Sequence, residues 1–270
     1  MMKRRIDRKS PFPAIYLVLM TIMMYLPIIL VIIYSFNESK ISSVWDGFSL
    51  KWYTALLKDR EIGTAIVNSL VLGVLSSLAA AVIGTLGAIG TVNSKFKAKG
   101  LMEYIATLPM MTPEIILGMI FLAFFSLLGL PFGMTTLVIA HTAFSIPYVF
   151  MQVKARLHGM DKTYEEAARD LGASRIRVFF DITLPLILPA VISGMMLAFA
   201  MSFDDVIISV FVTGVDVNTL PILIYSQLKT GVTPKTNALC TLMFLATIII
   251  VALSAVIGRF NSRKRKGEKK

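Results

Sequence analysis

Cysteine is nearly absent from this chain: Cys240 is the only one in 270 residues. A single cysteine closes no internal disulfide and excludes every CxxC metal or redox motif. It sits in an apolar run and reads as an inert packing residue. Histidine is almost as scarce. His141 and His158 lie too far apart in the sequence to suggest a site and read as packing or polar residues. HExxH, GxSxG and a paired His/Asp cluster are all missing, which argues against a membrane enzyme. The GxxxxGK[ST] phosphate loop is missing too, so the chain carries no ATPase of its own. No cofactor and no metal is expected. Charge is also sparse, at 16 % of residues, against about 25 % in soluble domains.

Apolar residues make up 56 % of the chain, and the mean hydropathy is +0.75. Disordered chains lack such residues, and soluble domains do not carry so many with so little charge. The expected fold class is all-α: a polytopic membrane protein. The net charge of +11 in a soluble protein would suggest nucleic acid. Here the basic residues flank apolar runs, which fits anionic lipid and topology control instead, with no nucleic-acid partner.

About 20 residues are needed to cross a hydrocarbon core of roughly 30 Å. Six stretches qualify, at about 13–36, 64–92, 102–129, 134–153, 185–212 and 236–258, and together they form a single transmembrane domain over 1–270. The first follows Lys3, Arg4, Arg5, Arg8 and Lys9, but it is longer than a signal-peptide core and is expected to stay uncleaved. The second carries Gly73, Gly84, Gly87 and Gly90, a small-residue face suited to close helix packing. Pro109 and Pro113 are expected to bend or break the third. The methionines, 16 in all, read as lipid-facing and core packing. The N-terminus, the 95–99 loop, the 154–181 loop and the 259–270 tail hold 21 of the 27 basic residues. Basic segments stay inside, so both termini are expected in the cytoplasm of a multi-pass cell-membrane protein.

The informative loop is Lys154–Pro185, with eleven charges between Lys154 and Asp181. It reads as a helical hairpin. Asp161 or Thr163 caps a first helix whose first turn holds Glu165 and Glu166. Gly172 ends that helix in the left-handed conformation. Ser174 caps a second, short helix, amphipathic through Ile176, Val178, Phe179 and Ile182. Leu184-Pro185 then marks the entry to the next span. A long loop with an apolar surface suggests a docking site rather than a solvated connection.

Glu166-Ala167-Ala168, then three residues, Gly172, then nine residues, Ile182-x-Leu184-Pro185 resembles the EAA loop of ABC importer permeases of the MetI-like architecture. Span count and topology agree with that resemblance over nearly the whole chain. It implies that Glu166, Ala167, Ala168, Gly172, Ile182, Leu184 and Pro185 dock in a cleft of a separate ATPase subunit and transmit its closure.

Acidic residues inside a membrane are costly, and their default reading is functional. Glu114 follows the two prolines, at roughly 20 Å along an ideal helix from the cytoplasmic start of its span. Asp204 and Asp205 lie in the outer half of the fifth span. Neighbours on a helix diverge by about 100°, so one of the two is expected to face the lumen. The alternative for all three is a structural ion or hydrogen-bond pair. No Lys or Arg lies within the spans, so this excess negative charge suits a cationic passenger. Trp45, Trp52, Tyr53, Phe211 and Tyr225 are candidates for cation–π contact with an alkylammonium, though aromatics also crowd membrane interfaces.

The words around these acids sharpen the resemblance. Met201-Ser-Phe-Asp-Asp-Val-Ile-Ile-Ser-Val-Phe-Val-Thr-Gly214, Leu220-Pro221, Ile224-Tyr225-Ser226, Gly231-Val232-Thr233-Pro234 and Asn237-Ala238-Leu239 look like the second permease of spermidine/putrescine importers. So do Tyr34-Ser35-Phe36-Asn37 and Lys51-Trp52-Tyr53. The resemblance implies a polyamine importer working by alternating access, with Glu114, Asp204, Asp205 and Tyr225 along the substrate pathway. It also implies a homologous permease partner, two ATP-binding subunits and an extracytoplasmic polyamine-binding protein. Rival readings are the same importer class serving an opine, an aminophosphonate or ferric iron, and an ATP-independent carrier.

Overall fold

The computed structural model describes residues 12–40, 44–93, 97–161, 163–245 and 248. Apolar runs in a membrane must satisfy their backbone groups internally, and among the described residues these runs are all helical, with one isolated bridge between Asn37 and Phe48. Two compact units result, one of residues 60–226 and one of 1–59 with 227–270.

The larger unit is built on three helices: α3 (Arg60–Asn93), α6 (Met134–His158) and α9 (Leu184–Asp204). Small residues let them approach closely. A Cβ on Gly73 would lie 2.8 Å from the Phe199 ring, and one on Gly194 would lie 2.8 Å from the Val149 backbone. Gly84 meets Val149 and Phe150 of α6. Gly90, expected on the same small-residue face, has nothing near it. Contacts run in opposite chain order on α6 and α9: His141 meets Ser202, and Arg156 donates to the Leu186 carbonyl. The two are therefore antiparallel. Ala80, Ala88, Val149, Val153, Ile187 and Ala198 fill their shared core.

The third apolar stretch is not one straight span. It forms α4 (Lys99–Met111) and α5 (Glu114–Leu127), bent by 107° at the break. Pro113 breaks it, as expected for a residue that lacks an N–H and disfavours helix before it. Pro109 stays inside α4. The fifth stretch also differs from one continuous span. After α9 the backbone turns extended at Asp205 and restarts as α10 (Ile207–Val212). Among the described residues four helices are long and apolar enough to cross a membrane, and five if the bent pair counts as one span. The expected sixth span begins in a helical stretch at 234–245, and 249–258 lie outside the described residues. The basic N-terminus, Lys95 and the basic tail lie outside them as well.

On the charged loop between α6 and α9 stand α7 (Thr163–Asp170) and α8 (Arg175–Val178). The second is not separate from the next span. A π-helical turn, Phe179–Thr183, joins α8 to α9, so that Arg175–Asp204 runs as one helix of 30 residues. Pro185 explains the turn: it cannot donate to the Asp181 carbonyl, and a wide turn relieves the ring clash. The unit ends at Ser226, within α11 (Leu220–Thr230), whose first N–H donates to Ser69 Oγ at 2.8 Å.

The smaller unit holds α1 (Phe12–Ser35), a folded segment after it, and α2 (Lys51–Lys58). Lys235 pairs with Asp59, and Thr236 Oγ1 donates to Gln227 Oε1 at 3.0 Å. Cys240, half-buried, belongs here.

Candidate functional site

The two helix breaks carry the intramembrane acids, and the fold packs together the helices that follow them, α5 and α10. Phe211 of α10 lies directly on Gly118 of α5, where a Cβ would overlap its ring. Phe125, Leu137, Ala140, Phe144, Ile208 and Val212 close an apolar cluster around that contact. Thr136 Oγ1 of α6 donates to the Val212 carbonyl at 2.8 Å.

At the second break, Asp205 is buried. Its carboxylate accepts the backbone N–H groups of Ile208 at 3.2 Å and Ser209 at 2.8 Å. Those are two of the donors that the start of a helix leaves without partners. His141 Nε2 stands 3.5 Å from the same carboxylate and 2.9 Å from Ser209 Oγ. Its Nδ1 meets Ser202 Oγ at 2.7 Å, and Ser76 Oγ donates to Ser202 Oγ at 3.0 Å. Hydroxyls accept or donate, so either imidazole tautomer is satisfied. The network ties α3, α6, α9 and α10 together at one level.

Asp204, its neighbour, is exposed. Among the described residues nothing hydrogen-bonds its side chain. The two neighbours thus differ: Asp205 is a buried cap and Asp204 is the outward group.

At the first break, Glu114 opens α5 and is exposed. No side-chain hydrogen bond caps this helix, whose Ile116 and Leu117 N–H groups return to the Pro113 carbonyl. The Glu114 carboxylate sits at the positive end of the α5 dipole, and Tyr148 of α6 packs against the apolar cluster described above. The fourth acid of this region, Glu103, is neutralised by Lys154 at 2.7 Å, which ties α4 to α6. Tyr225 is 40 % exposed on a separate element, α11. Of the aromatic candidates, Trp52 donates its ring N–H to the Asn37 carbonyl at 2.8 Å, and the Tyr53 hydroxyl meets Ser35 Oγ at 2.6 Å. Phe211 is packed on Gly118. All three are committed to the protein itself.

Sequence reasoning left His141 as a packing residue and did not single out Ser76, Ser202, Ser209 or Tyr148. The available signal was polarity within apolar spans, where a hydroxyl or imidazole needs a partner.

The charged hairpin forms as its residues dictate. Asp161 Oδ1 accepts the Thr163 N–H at 3.0 Å and its hydroxyl at 2.6 Å, which holds the Asp161 carboxyl below its ordinary range. Gly172 has φ +86°. The Ala173 N–H reaches the Ala168 carbonyl at 3.0 Å, and the Gly172 N–H reaches that of Arg169 at 2.8 Å. These paired bonds are a Schellman cap, which explains why glycine stands four residues after the second alanine. Ser174 Oγ accepts the Arg177 N–H at 3.3 Å to start α8. Thr183 Oγ1 donates to Glu165 at 2.7 Å, folding α7 against the π-helical turn. Val178 turns inward, while Tyr164, Leu171, Ile176 and Phe180 stay exposed.

Residues 80–263 match the family described as "Binding-protein-dependent transport system inner membrane component". Over 249 residues, 90 % of this chain and 89 % of its relative, the sequence is 40 % identical to the putrescine transport system permease protein PotI of Escherichia coli strain K12. It is 39 % identical over 239 residues, 88 % of this chain and 93 % of the relative, to the spermidine/putrescine transport system permease protein PotC of Haemophilus influenzae. The fold resembles a chain of the bacterial alginate ABC transporter solved with an alginate pentasaccharide-bound periplasmic protein. There the TM-score is 0.69 at 18 % identity, covering 91 % and 92 % of the two chains, a likeness of fold alone. The chain therefore belongs to the binding-protein-dependent inner-membrane component family and is a multi-pass permease subunit of an ABC importer.

Proposed function

We propose that this permease carries polyamines, putrescine or spermidine, inward across the membrane, paired with a homologous second permease. Two copies of a separate ATP-binding subunit hydrolyse ATP against its cytoplasmic hairpin, and an extracytoplasmic polyamine-binding protein delivers the cargo. Both termini lie in the cytoplasm. The observation that carries the reading is the 40 % identity to a putrescine permease over nine-tenths of the chain. The chemistry agrees with it: residues 101–153 and 182–228 contain no Lys or Arg, yet Glu114 and Asp204 stand exposed there.

Glu114 and Asp204 are the pathway carboxylates, and Tyr225 is a candidate ring for the alkylammonium chain. A polyamine is multiply charged and strongly hydrated, so a narrow passage must replace part of that water with carboxylate oxygen. Asp205 supports the path by holding the break open and in place.

Coupling starts at Glu166, Ala167, Ala168 and Gly172. Leu171, Ile176 and Phe180 supply an apolar surface for a protein partner. Ile182, Leu184 and Pro185 belong to the stretch that links this surface to the span. Because Arg175–Asp204 is one helix, about 45 Å long, a push at the hairpin is delivered as a rigid movement to the break at Asp205.

The test is uptake by the complete complex, this chain with its partners, reconstituted in liposomes with internal ATP. Labelled putrescine and spermidine should enter and should stimulate ATP hydrolysis. Uptake of an opine, an aminophosphonate or ferric iron with no polyamine uptake would keep the importer and replace the cargo. Polyamine entry without any ATPase would support the ATP-independent carrier.

A further inference from the structure

The segment between α1 and α2 is folded, and its apolar groups point outward. Asn37 organises it. Its Oδ1 accepts the N–H groups of Ser39 at 3.2 Å and Asp46 at 3.0 Å, and its amide donates to the Val44 carbonyl at 2.5 Å. Its own carbonyl receives the Trp52 ring N–H. With the Asn37–Phe48 bridge and the Ser35–Tyr53 bond, these contacts pin the loop and α2 to the last turn of α1. Trp45 packs edge-on to Tyr34, with centroids 6.2 Å apart. Phe48 stacks on Phe36 at 5.2 Å. A loop held this firmly would normally bury its large side chains. Instead Trp45 is 48 % exposed, Phe48 70 % and Leu57 86 %.

What covers them follows from α1. That helix is exposed and apolar along its length, from Ile15 to Ile33, with no charge. The 20 residues of Ala14–Ile33 span about 30 Å, the thickness of the hydrocarbon core. Tyr34, Ser35 and Phe36 therefore stand where acyl chains give way to headgroups. Trp45 and Phe48 are fixed against two of those residues, so they lie at the same depth. Trp and Tyr favour this level because one end of the ring is apolar and the other can meet water.

We propose that residues 36–40 and 44–58 form an interfacial anchor, with Trp45, Phe48 and Leu57 seated in the headgroup–acyl boundary of the phospholipid bilayer at which α1 ends. Lys58, exposed in the last turn of α2, supplies a cation at the level of the lipid phosphates. Trp52 and Tyr53 face inward and hold the anchor's shape. Both tryptophans of the chain thus serve this segment: one meets lipid, the other braces the loop. The inference does not depend on the cargo.

The experiment uses the complete complex in lipid nanodiscs, with Cys240→Ala and a single bimane-labelled cysteine at position 48, 57 or 215. Val215, between α10 and α11, is fully exposed and serves as the aqueous control. Lipids brominated near the headgroup end of the chain should quench labels 48 and 57 at least threefold more than label 215. Lipids brominated at the chain terminus should quench them less, and iodide should barely act. Adding the extracytoplasmic binding protein should change nothing. Iodide quenching without lipid quenching at 48 and 57 would overturn the anchor. So would shielding that appears only when the binding protein or the second permease is present, because the surface would then belong to a protein partner. Should Phe48→Cys fail to assemble, Leu57→Cys carries the same readout from a side chain that is almost wholly exposed.

Discussion

The two broken helices use the same device and reach opposite ends. Each places an acid at an interruption in an apolar stretch. At Asp205 the surroundings close over the acid: two backbone N–H groups of α10 satisfy it, and His141, bonded to Ser202 and Ser209, stands 3.5 Å away. At Glu114 the surroundings leave it open, at an uncapped helix start with a bend of 107°. A buried, fully bonded carboxylate holds its shape and has nothing to offer a passing cation. An exposed one at membrane depth is poorly placed for stability and well placed for a cation. Under the proposed function, the first break is the contact and the second is the hinge support.

The largest effect expected from breaking this contrast is at Asp205. Asp205→Ala orphans two buried backbone donors and removes the acceptor beside His141, which should cost about 3–5 kcal/mol. The complex should fail to assemble or melt far below the parent, measured by size-exclusion yield and thermal unfolding. Asp205→Asn keeps one acceptor oxygen and should recover much of the loss. Parent-like assembly of the alanine variant would remove the structural role.

Next is the seam that joins the breaks. Gly118→Leu drives a side chain into the Phe211 ring, an overpacking cost of about 1–3 kcal/mol. Adding Phe211→Ala should restore part of it, since the space is then free. If the double variant is worse than the sum of the singles, the contact between α5 and α10 is not the seam.

Glu114→Gln and Asp204→Asn should leave assembly untouched. Each should reduce polyamine uptake by roughly tenfold to a hundredfold, the scale of one lost charge-assisted contact. Normal uptake in both would return these acids to a structural role. Gly172→Ala is the mildest change: a left-handed residue with a Cβ costs about 1–2 kcal/mol. The protein should stay in the membrane with weakened substrate-stimulated ATP hydrolysis, and unchanged coupling would remove the hairpin from the transmission path.

Much of this was legible in the chain itself. Apolar length announced the helices, Pro113 announced a break, and Gly172 after Glu166-Ala167-Ala168 announced a left-handed cap, because each rests on neighbours in sequence. The break at Asp205 was not legible, for no proline or glycine marks it. It exists because a side chain four residues upstream of Ser209 can cap a new helix start. Nor was the π-helical turn that fuses α8 to α9, which reads locally as two helices.

The sequence by itself determined that the acids would be few, intramembrane and unmatched by any basic residue in the spans, since composition and spacing are local properties. Only the tertiary structure decided which member of Asp204-Asp205 is buried. Its donors are the local N–H groups of Ile208 and Ser209, but the wall that closes over it comes from His141 and, behind His141, from Ser202 and Ser76, and no local pattern says which of two adjacent carboxylates will face them. The same holds for Trp45 and Trp52, alike in composition. One is turned outward and the other inward because Asn37, folded against both their neighbourhoods, offers its carbonyl to only one of them.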